Sequence, residues 1–382
     1  MNNKLKSILI SIFAVAMLTA CRGKTLPEPT PTPEPEELRV SFLACGDNII
    51  YKGTVSDAKS LATDGGYDFK PIYKNVSSMI SGADISFINQ ETLMCGDGYE
   101  LTYYPTFNSP QKVGEDLVEL GFDVVNISNN HMLDKGKDGL LRTIDFWETQ
   151  DTLMIGGYRG RVDFDKLRII EKHGIKIAFL SFTEMTNGMK VKESGELFIP
   201  YMNDEDIKTQ IAKAEEIADF TVVSLHWGNE GAFVANKEQK RIAQLIADCG
   251  GDVILGHHPH VIQPVEWLCG VNGNRTLCAY SLGNFAAEQA YDYNMVGGIL
   301  ELDFVKAPNG VVTVENPQFN PTVYHFNSRF RNNSVHLIQN YSEELAQKHG
   351  VWTSYGNSIS YERLLKYVYD TIATEFLPEE LK

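Results

Sequence analysis

The stretch GHHPH, residues 256–260, directly follows the run DVIL at residues 252–255. Three of the nine histidines in this chain of 382 residues therefore fall within five positions. A short apolar run of this kind predicts a buried strand, and the histidines come at the point where that strand ends. Imidazole groups concentrated at a strand end are what a metal site in an α/β protein would present.

Short apolar runs alternate with amphipathic helical patterns from residue 38 onward, which is typical of an α/β domain. Helices are predicted at 204–219 and 237–249, where apolar residues recur on one face. The sequence around His173-Gly174 predicts a hairpin turn. After residue 264 the pattern is mainly β and predicts a second sheet packed on the first, followed by an amphipathic tail helix. Six strands are predicted before that point, at 38–45, 85–89, 124–128, 175–181, 221–225 and 253–255.

The charge balance limits the classes of partner. The chain has 34 basic and 50 acidic residues, a formal net charge of -16. Without the first twenty residues, which contain Lys4 and Lys6 and no acidic residue, the balance is 32 against 50, or -18. An acidic protein of this kind is not expected to bind nucleic acid. The 43% of hydrophobic residues supports a substantial core and excludes disorder of the whole chain.

The first 21 residues, MNNKLKSILISIFAVAMLTAC, have the pattern of a signal peptide. A basic start precedes an apolar stretch from Ile8 to Leu18, which is shorter than the roughly twenty residues that a membrane helix needs. The end of this segment resembles the bacterial lipoprotein signal-peptidase box. Residues 1–20 are therefore expected to be removed and Cys21 to be lipidated; an uncleaved anchor, or cleavage without a lipid, is the alternative.

A proline-rich segment follows, LPEPTPTPEPEE at 26–37, with proline at every second position from 27 to 35. Proline fixes φ and removes amide donors, so residues 21–37 are predicted to form a lipidated, semi-rigid linker. At about 3.1 Å per residue it would hold the globular part up to roughly 50 Å from the membrane. The protein is expected to be extracytoplasmic and anchored to the cell membrane as a lipoprotein.

Five cysteines remain besides Cys21, at positions 45, 95, 249, 269 and 278. An odd number leaves at least one thiol unpaired in an exported protein. Cys269 and Cys278 flank a turn at 271–274, so a disulfide across this hairpin is one interpretation. Buried structural thiols are the other.

Polar side chains follow five of the predicted strands at the point where each strand ends. The carboxyl ends of strands line the ligand crevice of open α/β sheets, so these residues are predicted to share one site. Any one of them alone would more often be a turn former, a helix cap or a hydrogen-bonded core group. Oxygen and imidazole ligands without a thiolate suit one or two divalent ions of Mn, Mg, Fe or Zn. The candidates are Asp47, Asn89, Glu91, Asn130, His131, His226, Glu230, His257, His258 and His260.

His131 is the candidate acid of this site. A pair of divalent ions would activate a water and clamp the oxygens of a phosphoryl group, but the leaving group would still need a proton. His131 follows the ligand-type residue Asn130, and Asp134 is placed to orient its ring three residues later. His131 and Asp134 are the predicted catalytic pair.

The ordered motifs GDN, NQE, SNNHMLDKG, LHWGNE, GHHPHVIQ and YSLGNF resemble those of the bacterial capsule-synthesis CapA proteins, called PgsA in poly-γ-glutamate producers. The likeness covers roughly residues 38–290, and the family belongs to the calcineurin-like metallophosphoesterase superfamily. It implies a four-layer α/β/β/α sandwich of the metallophosphoesterase type. The globular domain is assigned to 38–330 and a C-terminal helical extension to 331–382. The resemblance also implies a role in making or exporting an extracellular polymer at the membrane.

The resemblance assigns roles motif by motif, and two motifs depart from the superfamily pattern. Position 49 is Ile where the superfamily has the His of Asp-x-His, and Asn89-Gln90-Glu91 replaces Gly-Asp-x-x-Asp, which leaves Glu91 to supply the bridging carboxylate. The site is therefore expected to hold one ion, or two with the second bound weakly. Asn89, Glu230 and His257 are additional candidates, and either His257 or His258 is the ligand of the last motif. The implied metal ligands are Asp47, Asn130, His226, His258 and His260, with His131 as the proton donor.

Two functions fit this sequence. The first is a metal-dependent hydrolase or transferase of capsule or poly-γ-glutamate synthesis. The second is a non-catalytic subunit that holds the polymer and uses the cleft as a structural metal site. A third, weaker interpretation is the processing of a phosphate-containing cell-envelope polymer. The expected partners are the membrane through Cys21, membrane-embedded synthase or export subunits and an anionic extracellular polymer.

Overall fold

The computed structural model describes residues 36–191 and 195–382. The predicted signal peptide, the lipidation at Cys21 and the proline-rich linker up to residue 35 lie outside the described residues. Within the described ranges the chain folds around two β-sheets. No helix in these two ranges is long and apolar enough to cross a membrane.

The first sheet has eight strands and contains the N-terminal strand that begins at Leu38. Its members are β1 (Leu38–Asn48), β2 (Ile85–Gln90), β3 (Val124–Asn126), β4 (Leu153–Ile155), β11 (Asn284–Ala286), β12 (Val296–Lys306), β13 (Val312–His325) and β14 (Ser334–Leu337). The order is β14-β13-β12-β1-β2-β3-β4, with β11 paired to β1. Strands β1 to β4 run parallel, whereas β12, β13 and β14 form an antiparallel half.

The second sheet has six strands in the order β5-β6-β7-β8-β10-β9. They are β5 (Arg168–Lys172), β6 (Ile175–Thr183), β7 (Phe220–His226), β8 (Val253–His257), β9 (Val265–Cys269) and β10 (Arg275–Ala279). Strands β6, β7, β8 and β10 are parallel. The predicted hairpin turn between β5 and β6 is confirmed, and His173 has a φ of 49° in it.

Helices cover the outer faces of both sheets. Helix α8 begins and ends at the predicted residues, and Asn236 with Gln239 forms a reciprocal capping box at its start. Helix α7 ends at Glu215, four residues before the predicted position. The α-helices are α1 (Lys52–Leu61), α2 (Lys70–Tyr73), α3 (Ser77–Gly82), α4 (Lys112–Leu120), α5 (Gly136–Glu148), α6 (Arg161–Phe164), α7 (Asp204–Glu215), α8 (Lys237–Cys249), α9 (Glu343–Lys348), α10 (Gly350–Thr353) and α11 (Tyr361–Thr371). Short 3₁₀ turns lie at Asp292–Met295, Ile338–Asn340, Thr374–Phe376 and Glu379–Leu381.

The two sheets pack face to face, and each carries helices on its other side. Phe42 of β1 meets Phe179 of β6 between the sheets, with ring centroids 6.2 Å apart. Phe182 lies on the opposite face of β6, in a separate apolar cluster with Ile207 of α7 and Ile242 of α8. This alternation along one strand is the consequence of the two-residue period of β structure. The expected four-layer α/β/β/α sandwich is confirmed.

The strands after residue 264 do not form a sheet of their own, which corrects the sequence-based prediction. Strands β9 and β10 extend the second sheet, and β11 to β14 extend the first. The second sheet already begins at β5, because the hairpin at residues 168–183 leaves the first sheet after β4. Hydropathy predicts where a strand lies along the chain but not which sheet edge it joins.

The predicted boundary at residue 330 does not separate two units. Strand β14 pairs with β13 through Thr322 to His325, and residues 37–382 form one compact unit. Leu364 and Val368 of α11 are fully buried in the same core cluster as both sheets. The segment 331–382 therefore contributes a strand and core residues, and is not only a helical extension.

Of the two interpretations of the cysteines, the disulfide between Cys269 and Cys278 is wrong. Cys269 pairs with Arg275 across the hairpin, whereas Cys278 lies opposite Glu266, three positions further along the ladder. All five described cysteines are free thiols, and Cys278 is buried while Cys269 is exposed.

Candidate metal centre

The carboxyl ends of β1, β2, β7 and β8 come together at one edge of the sandwich. The loop after β3 reaches the same point and supplies Asn130 and His131. All of the predicted ligands from these segments are buried. The residues that lie together are Asp47, Glu91, Asn130, His226, His258 and His260.

A close approach between backbones positions Asp47. Gly46 packs so tightly against Gly283, the residue before β11, that a Cβ atom at position 46 would lie 2.0 Å from the carbonyl oxygen of Gly283. The amide of Asp47 then donates to that same carbonyl at 2.9 Å. Only glycine at position 46 permits this approach, which explains the glycine of the GDN motif in terms of backbone contact.

The Asp47 carboxylate is held from several directions. Its Oδ1 accepts a hydrogen bond from Nδ2 of Asn89 at 2.8 Å, and its Oδ2 accepts the backbone amide of His258 at 3.2 Å. Oδ2 also lies 3.2 Å from Nδ1 of His260. Burial alone would raise the pKa of Asp47, but the contacts from His257 and His260 hold it well below its usual range. Asp47 is therefore an anion at neutral pH.

The Glu91 carboxylate has no comparable support. Both of its oxygens are buried and have no hydrogen-bond partner among the described residues. Its Oε1 lies 3.8 Å from Nε2 of His226 and 3.7 Å from Nε2 of His260. Burial raises the pKa of Glu91 well above its usual value, and the carboxylates of Asp47 and Glu230 raise it further. A buried carboxylate without donors is costly, and a cation between Glu91 and the two imidazoles would offset that cost.

His226 and His258 provide neutral imidazoles beside Glu91. Nε2 of His226 lies 2.9 Å from Oδ1 of Asn130, and the rings of His226 and His258 are 4.8 Å apart. Burial lowers the pKa of His226 well below its usual value and lowers that of His258 to about 3, in each case aided by a neighbouring histidine. Nδ1 of His258 has no partner among the described residues. Neutral imidazole is the form that binds metal.

His260 is the one imidazole of the cluster that favours a positive charge. Although burial lowers its pKa, the carboxylates of Glu91 and Asp47 raise it to about 9. Its Nδ1 lies 3.1 Å from Oδ1 of Asn284, whose Nδ2 donates to the His260 carbonyl at 3.4 Å. Positive φ angles of 95° at His258 and 55° at His260 turn the backbone so that both rings reach the cluster.

The donor set fits a divalent cation. Two triads each place one ligand atom per residue within 4.8 Å of the others, one formed by Glu91, His258 and His260 and one by Asp47, Glu91 and His226. Glu91 belongs to both, which is where a bridging carboxylate would lie. The observation that decides the fit is the pair of buried Glu91 oxygens without a donor, with Nε2 of His226 and Nε2 of His260 at 3.8 and 3.7 Å from Oε1.

His131 and Asp134 form a hydrogen-bonded pair at the rim of this cluster. Nδ1 of His131 lies 2.8 Å from Oδ2 of Asp134. The ring of Phe107 packs against the ring of His131, with the ring centroids 4.8 Å apart and an angle of 88° between the ring planes. Nδ2 of Asn187 lies 3.4 Å from Nδ1 of His131, and Oδ1 of Asn187 accepts a hydrogen bond from Nδ2 of Asn130 at 3.3 Å. Asn187 therefore connects the His131–Asp134 pair to the ligand cluster.

The three additional candidates have different places. Asn89 donates to Asp47 and accepts from Nδ2 of Asn126 at 2.7 Å, so it orients the aspartate. His257 points between the sheets, stacked on Phe87 at 5.8 Å with Nδ1 3.3 Å from Oδ1 of Asp47. It is not a member of either triad, whereas His258 is. Glu230 is exposed on the loop after β7 and lies outside the cluster.

Two residues that contact the centre were not singled out from the sequence. Asn284 lies within the quoted motif YSLGNF, and the three-residue strand β11 brings it to His260. Asn187 has a φ of 48° and precedes Gly188, and this Asn-Gly pair is a turn signal that could have marked it. Ile49, at the position of the missing histidine, is buried against Phe107 and Ala287 and offers no ligand.

Solved structures share the fold of this chain only distantly. The NAD nucleotidase NadN of Haemophilus influenzae matches with a TM-score of 0.46 and 13% identity, covering 90% of this chain and 58% of that one. At this level of similarity the match says nothing about the chemistry of this chain.

Sequence comparison identifies the family. The PGA biosynthesis protein CapA of Bacillus subtilis (strain 168) is 32% identical over 196 residues, which cover 51% of this chain and 50% of that protein. The capsule biosynthesis protein CapA of Bacillus anthracis is 27% identical over 301 residues, 76% of this chain and 70% of that protein. The chain thus spans about half the length of the first of these relatives. A sequence model of the bacterial capsule synthesis protein PGA_cap family matches residues 41–289, well over half of the chain, and the chain therefore belongs to that family.

Proposed function

We propose that this protein is a metal-dependent hydrolase or transferase of capsule biosynthesis that acts on a phosphoester of an anionic extracellular polymer. One observation carries the proposal. The buried Glu91 carboxylate has no donor and faces His226 and His260 at 3.8 and 3.7 Å. The His131–Asp134 pair lies at the rim of the same cluster. A cation-binding cluster beside a histidine acid is an arrangement suited to phosphoester cleavage.

The roles of the side chains follow from their contacts. Asp47, Glu91, His226, His258 and His260 would hold the metal, with Asn130 as an oxygen ligand. A bound divalent ion lowers the pKa of a coordinated water and draws charge from phosphoryl oxygens. Asp134 binds Nδ1 of His131, so the other ring nitrogen, Nε2, is left to give a proton to the leaving oxygen as the P–O bond breaks. Burial of the cluster strengthens these electrostatic interactions because little water screens them.

We further propose that the protein acts at the outer face of the cell membrane. The lipoprotein-type box ending at Cys21 and the proline-rich linker up to residue 37 support a lipid anchor with a short reach. Membership of a capsule synthesis family supports membrane-embedded synthase or export subunits as partners. Metabolic labelling with a palmitate analogue tests the anchor: wild-type protein should take up the label and Cys21→Ser should not.

The activity is tested with the purified protein, its metal content and two synthetic esters. Mn²⁺-loaded protein should hydrolyse bis(p-nitrophenyl) phosphate or p-nitrophenyl phosphate, and His226→Ala should lose both bound metal and turnover. His173→Asn is the matched control, because His173 is an exposed histidine at a hairpin turn of the same sheet and asparagine tolerates its φ of 49°. Absence of bound metal in the wild-type protein would overturn the proposal.

A second candidate, a non-catalytic subunit with a structural metal site, is favoured by Ile49. This residue replaces the histidine of the superfamily's first motif and packs into an apolar cluster, so the ligand set is reduced. Under this alternative the wild-type protein would bind metal and gain thermal stability from it, yet hydrolyse neither ester. Copurification with a membrane subunit, lost on deletion of residues 1–21, would then identify its role.

A further inference from the structure

A cavity of about 700 Å³ opens beside the metal centre and shares His260 with it. Its walls come from distant parts of the chain, including the loops after β1 and β2 and the segment after α10. Most of its tyrosines lie beyond residue 289, where the family match ends. We call this cavity the tyrosine groove. The five tyrosines that line it are Tyr51, Tyr104, Tyr291, Tyr293 and Tyr355.

The tyrosine rings offer flat faces along the groove. Tyr291 and Tyr293 are stacked with their centroids 5.1 Å apart and an angle of 8° between the rings. Tyr291 keeps 51% of its surface exposed and Tyr104 keeps 74%, so both side chains are accessible to a ligand in the groove. Ring faces held in a cavity mouth bind flat, partly apolar groups, and the hydroxyl edge can take part in hydrogen bonds.

One aromatic ring, that of Phe107, separates the groove from the proposed acid, and His260 connects the groove to the metal ligands. The ring of Tyr51 meets the edge of Phe107 at 5.4 Å, and Phe107 in turn meets His131 at 4.8 Å. At the other side His260 belongs to both the groove and the ligand cluster. A ligand in the groove would therefore lie next to the reacting group rather than at a remote surface.

The groove offers a polyanionic chain few groups to pair with. Glu230 contributes an exposed carboxyl group, whereas the buried carboxyl of Glu288 accepts from the amide of Gly53 and the hydroxyl of Thr54, and apart from His260 none of the described lining residues is basic. A poly-γ-glutamate chain carries a carboxylate on every unit, so away from His260 its carboxylates would meet no Lys or Arg. Gln289 and Asn294 add neutral amides that can donate to and accept from hydroxyl groups. The lining suits an uncharged group with many hydroxyls.

We propose that the tyrosine groove binds the uncharged sugar rings of a phosphate-containing saccharide polymer, with the phosphoester placed at the metal centre. This inference rests on the proposed function for the position of the phosphoester. The anionic character of such a polymer resides in its phosphates, which the cation attracts, while its sugar rings contact tyrosine faces. An aromatic cage for a quaternary ammonium group fits less well, because Tyr291 and Tyr293 stack on each other and do not enclose a small cation in a cavity of this volume.

Isothermal titration with neutral tetrasaccharides tests the groove without any need for turnover. The probes are cellotetraose, chitotetraose and maltotetraose, titrated into the purified protein in the presence of EDTA. At least one should bind, and Tyr291→Ala should weaken that binding roughly fivefold to tenfold. Tyr291→Phe keeps the ring and should bind within about twofold of wild type. Tyr369→Ala is the matched control, since Tyr369 is 52% exposed on α11 and Tyr291 is 51% exposed.

The outcomes separate the two proposals. Binding of a tetrasaccharide that depends on Tyr291 but not on Tyr369 supports the groove even if ester hydrolysis is absent. Failure of all three sugars to bind, or equal binding by the two alanine variants, overturns the inference and leaves the metal chemistry untouched. Tighter, Tyr291-dependent binding of γ-linked tetraglutamate or of choline would also overturn it, because either result would assign the groove to a charged ligand.

Discussion

Oδ2 of Asp134 lies 2.8 Å from Nδ1 of His131. The same oxygen also accepts a hydrogen bond from the backbone amide of Phe107 at 2.6 Å. This main-chain contact fixes the position of the carboxylate independently of the histidine. The ring of Phe107 then meets the His131 ring edge-on at 4.8 Å. His131 is therefore held in one orientation, with Nδ1 bound and Nε2 left for a substrate.

Asp134→Asn is expected to reduce kcat for ester hydrolysis about 10-fold to 100-fold with little change in bound metal. An amide at position 134 can donate to Nδ1, which would hold the wrong tautomer of His131 and remove the stabilisation of its charged form. Kinetics and metal analysis on the same preparation check this result. Asp138→Asn, an exposed change four residues further on, is the control. Equal kcat values for the two variants would show that Asp134 does not act through His131.

Glu91→Gln is expected to affect stability mainly in the presence of metal. In EDTA the variant should lie within about 1 kcal/mol of wild type, because burial raises the pKa of Glu91 well above its usual value and so favours the uncharged acid, which an amide resembles. With Mn²⁺ at 100 times its dissociation constant, wild type should gain about 2.7 kcal/mol and the variant much less. Urea unfolding under both conditions measures the four values. Glu230→Gln, a change at an exposed acidic residue, is the control and should change the free energy of unfolding by no more than about 0.5 kcal/mol either in EDTA or with Mn²⁺.

A second histidine cluster, outside the candidate metal centre, predicts sensitivity to acid. Burial, reinforced by His349 and His336, lowers the pKa of His325 to about 3, and burial lowers that of His349 to about 4. Both values lie below the ordinary 6.5, so between pH 6.5 and these values the unfolded chain binds protons that the folded chain does not. Stability from this cluster is thus present above pH 6.5 and is lost as the pH falls towards 3.

His325→Gln is expected to weaken that acid sensitivity. The loss of unfolding free energy between pH 7 and pH 5 should be about 2 kcal/mol smaller than in wild type, because one buried neutral histidine is removed. Urea unfolding at both pH values, in EDTA, gives the difference. His173→Asn provides the control, since His173 is exposed and asparagine tolerates its φ of 49°. The same pH dependence in wild type and His325→Gln would contradict the assignment.

The strands that carry the centre were predictable because each is a short apolar run bounded by polar residues. Three of these strands were predicted to end too early, since β1 continues to Asn48, β7 to His226 and β8 to His257, whereas the strand predicted at 124–128 already ends at Asn126. Hydropathy ends a strand at the first polar group, whereas here the polar groups remain in the ladder because neighbouring strands satisfy them. Asp47, for example, pairs with Asn89 of β2 in register and accepts its side-chain amide.

The finer geometry of the centre was not available from local patterns. The choice between His257 and His258 depends on a left-handed φ at His258, which a non-glycine residue adopts only under tertiary constraint. The contact of Asn284 with His260 depends on β11, a strand of three residues that pairs with β1 more than two hundred positions away. The split of the later strands between two sheets likewise depends on long-range packing.

The C-terminal segment offers a test of how far the core extends beyond residue 330. Leu364 is fully buried in the main core cluster, whereas its neighbour Leu365 is partly exposed on the same helix. Leu364→Ala should lower the free energy of unfolding by about 2–5 kcal/mol, because it leaves a cavity in the main core cluster. Leu365→Ala removes the same atoms from a half-exposed position and should cost less than half as much. Urea unfolding followed by tryptophan fluorescence should show a single transition that shifts in Leu364→Ala. A separate early transition, with the main one unchanged, would mean that residues 331–382 unfold on their own and that the sequence-based boundary at 330 describes the stability of the chain after all.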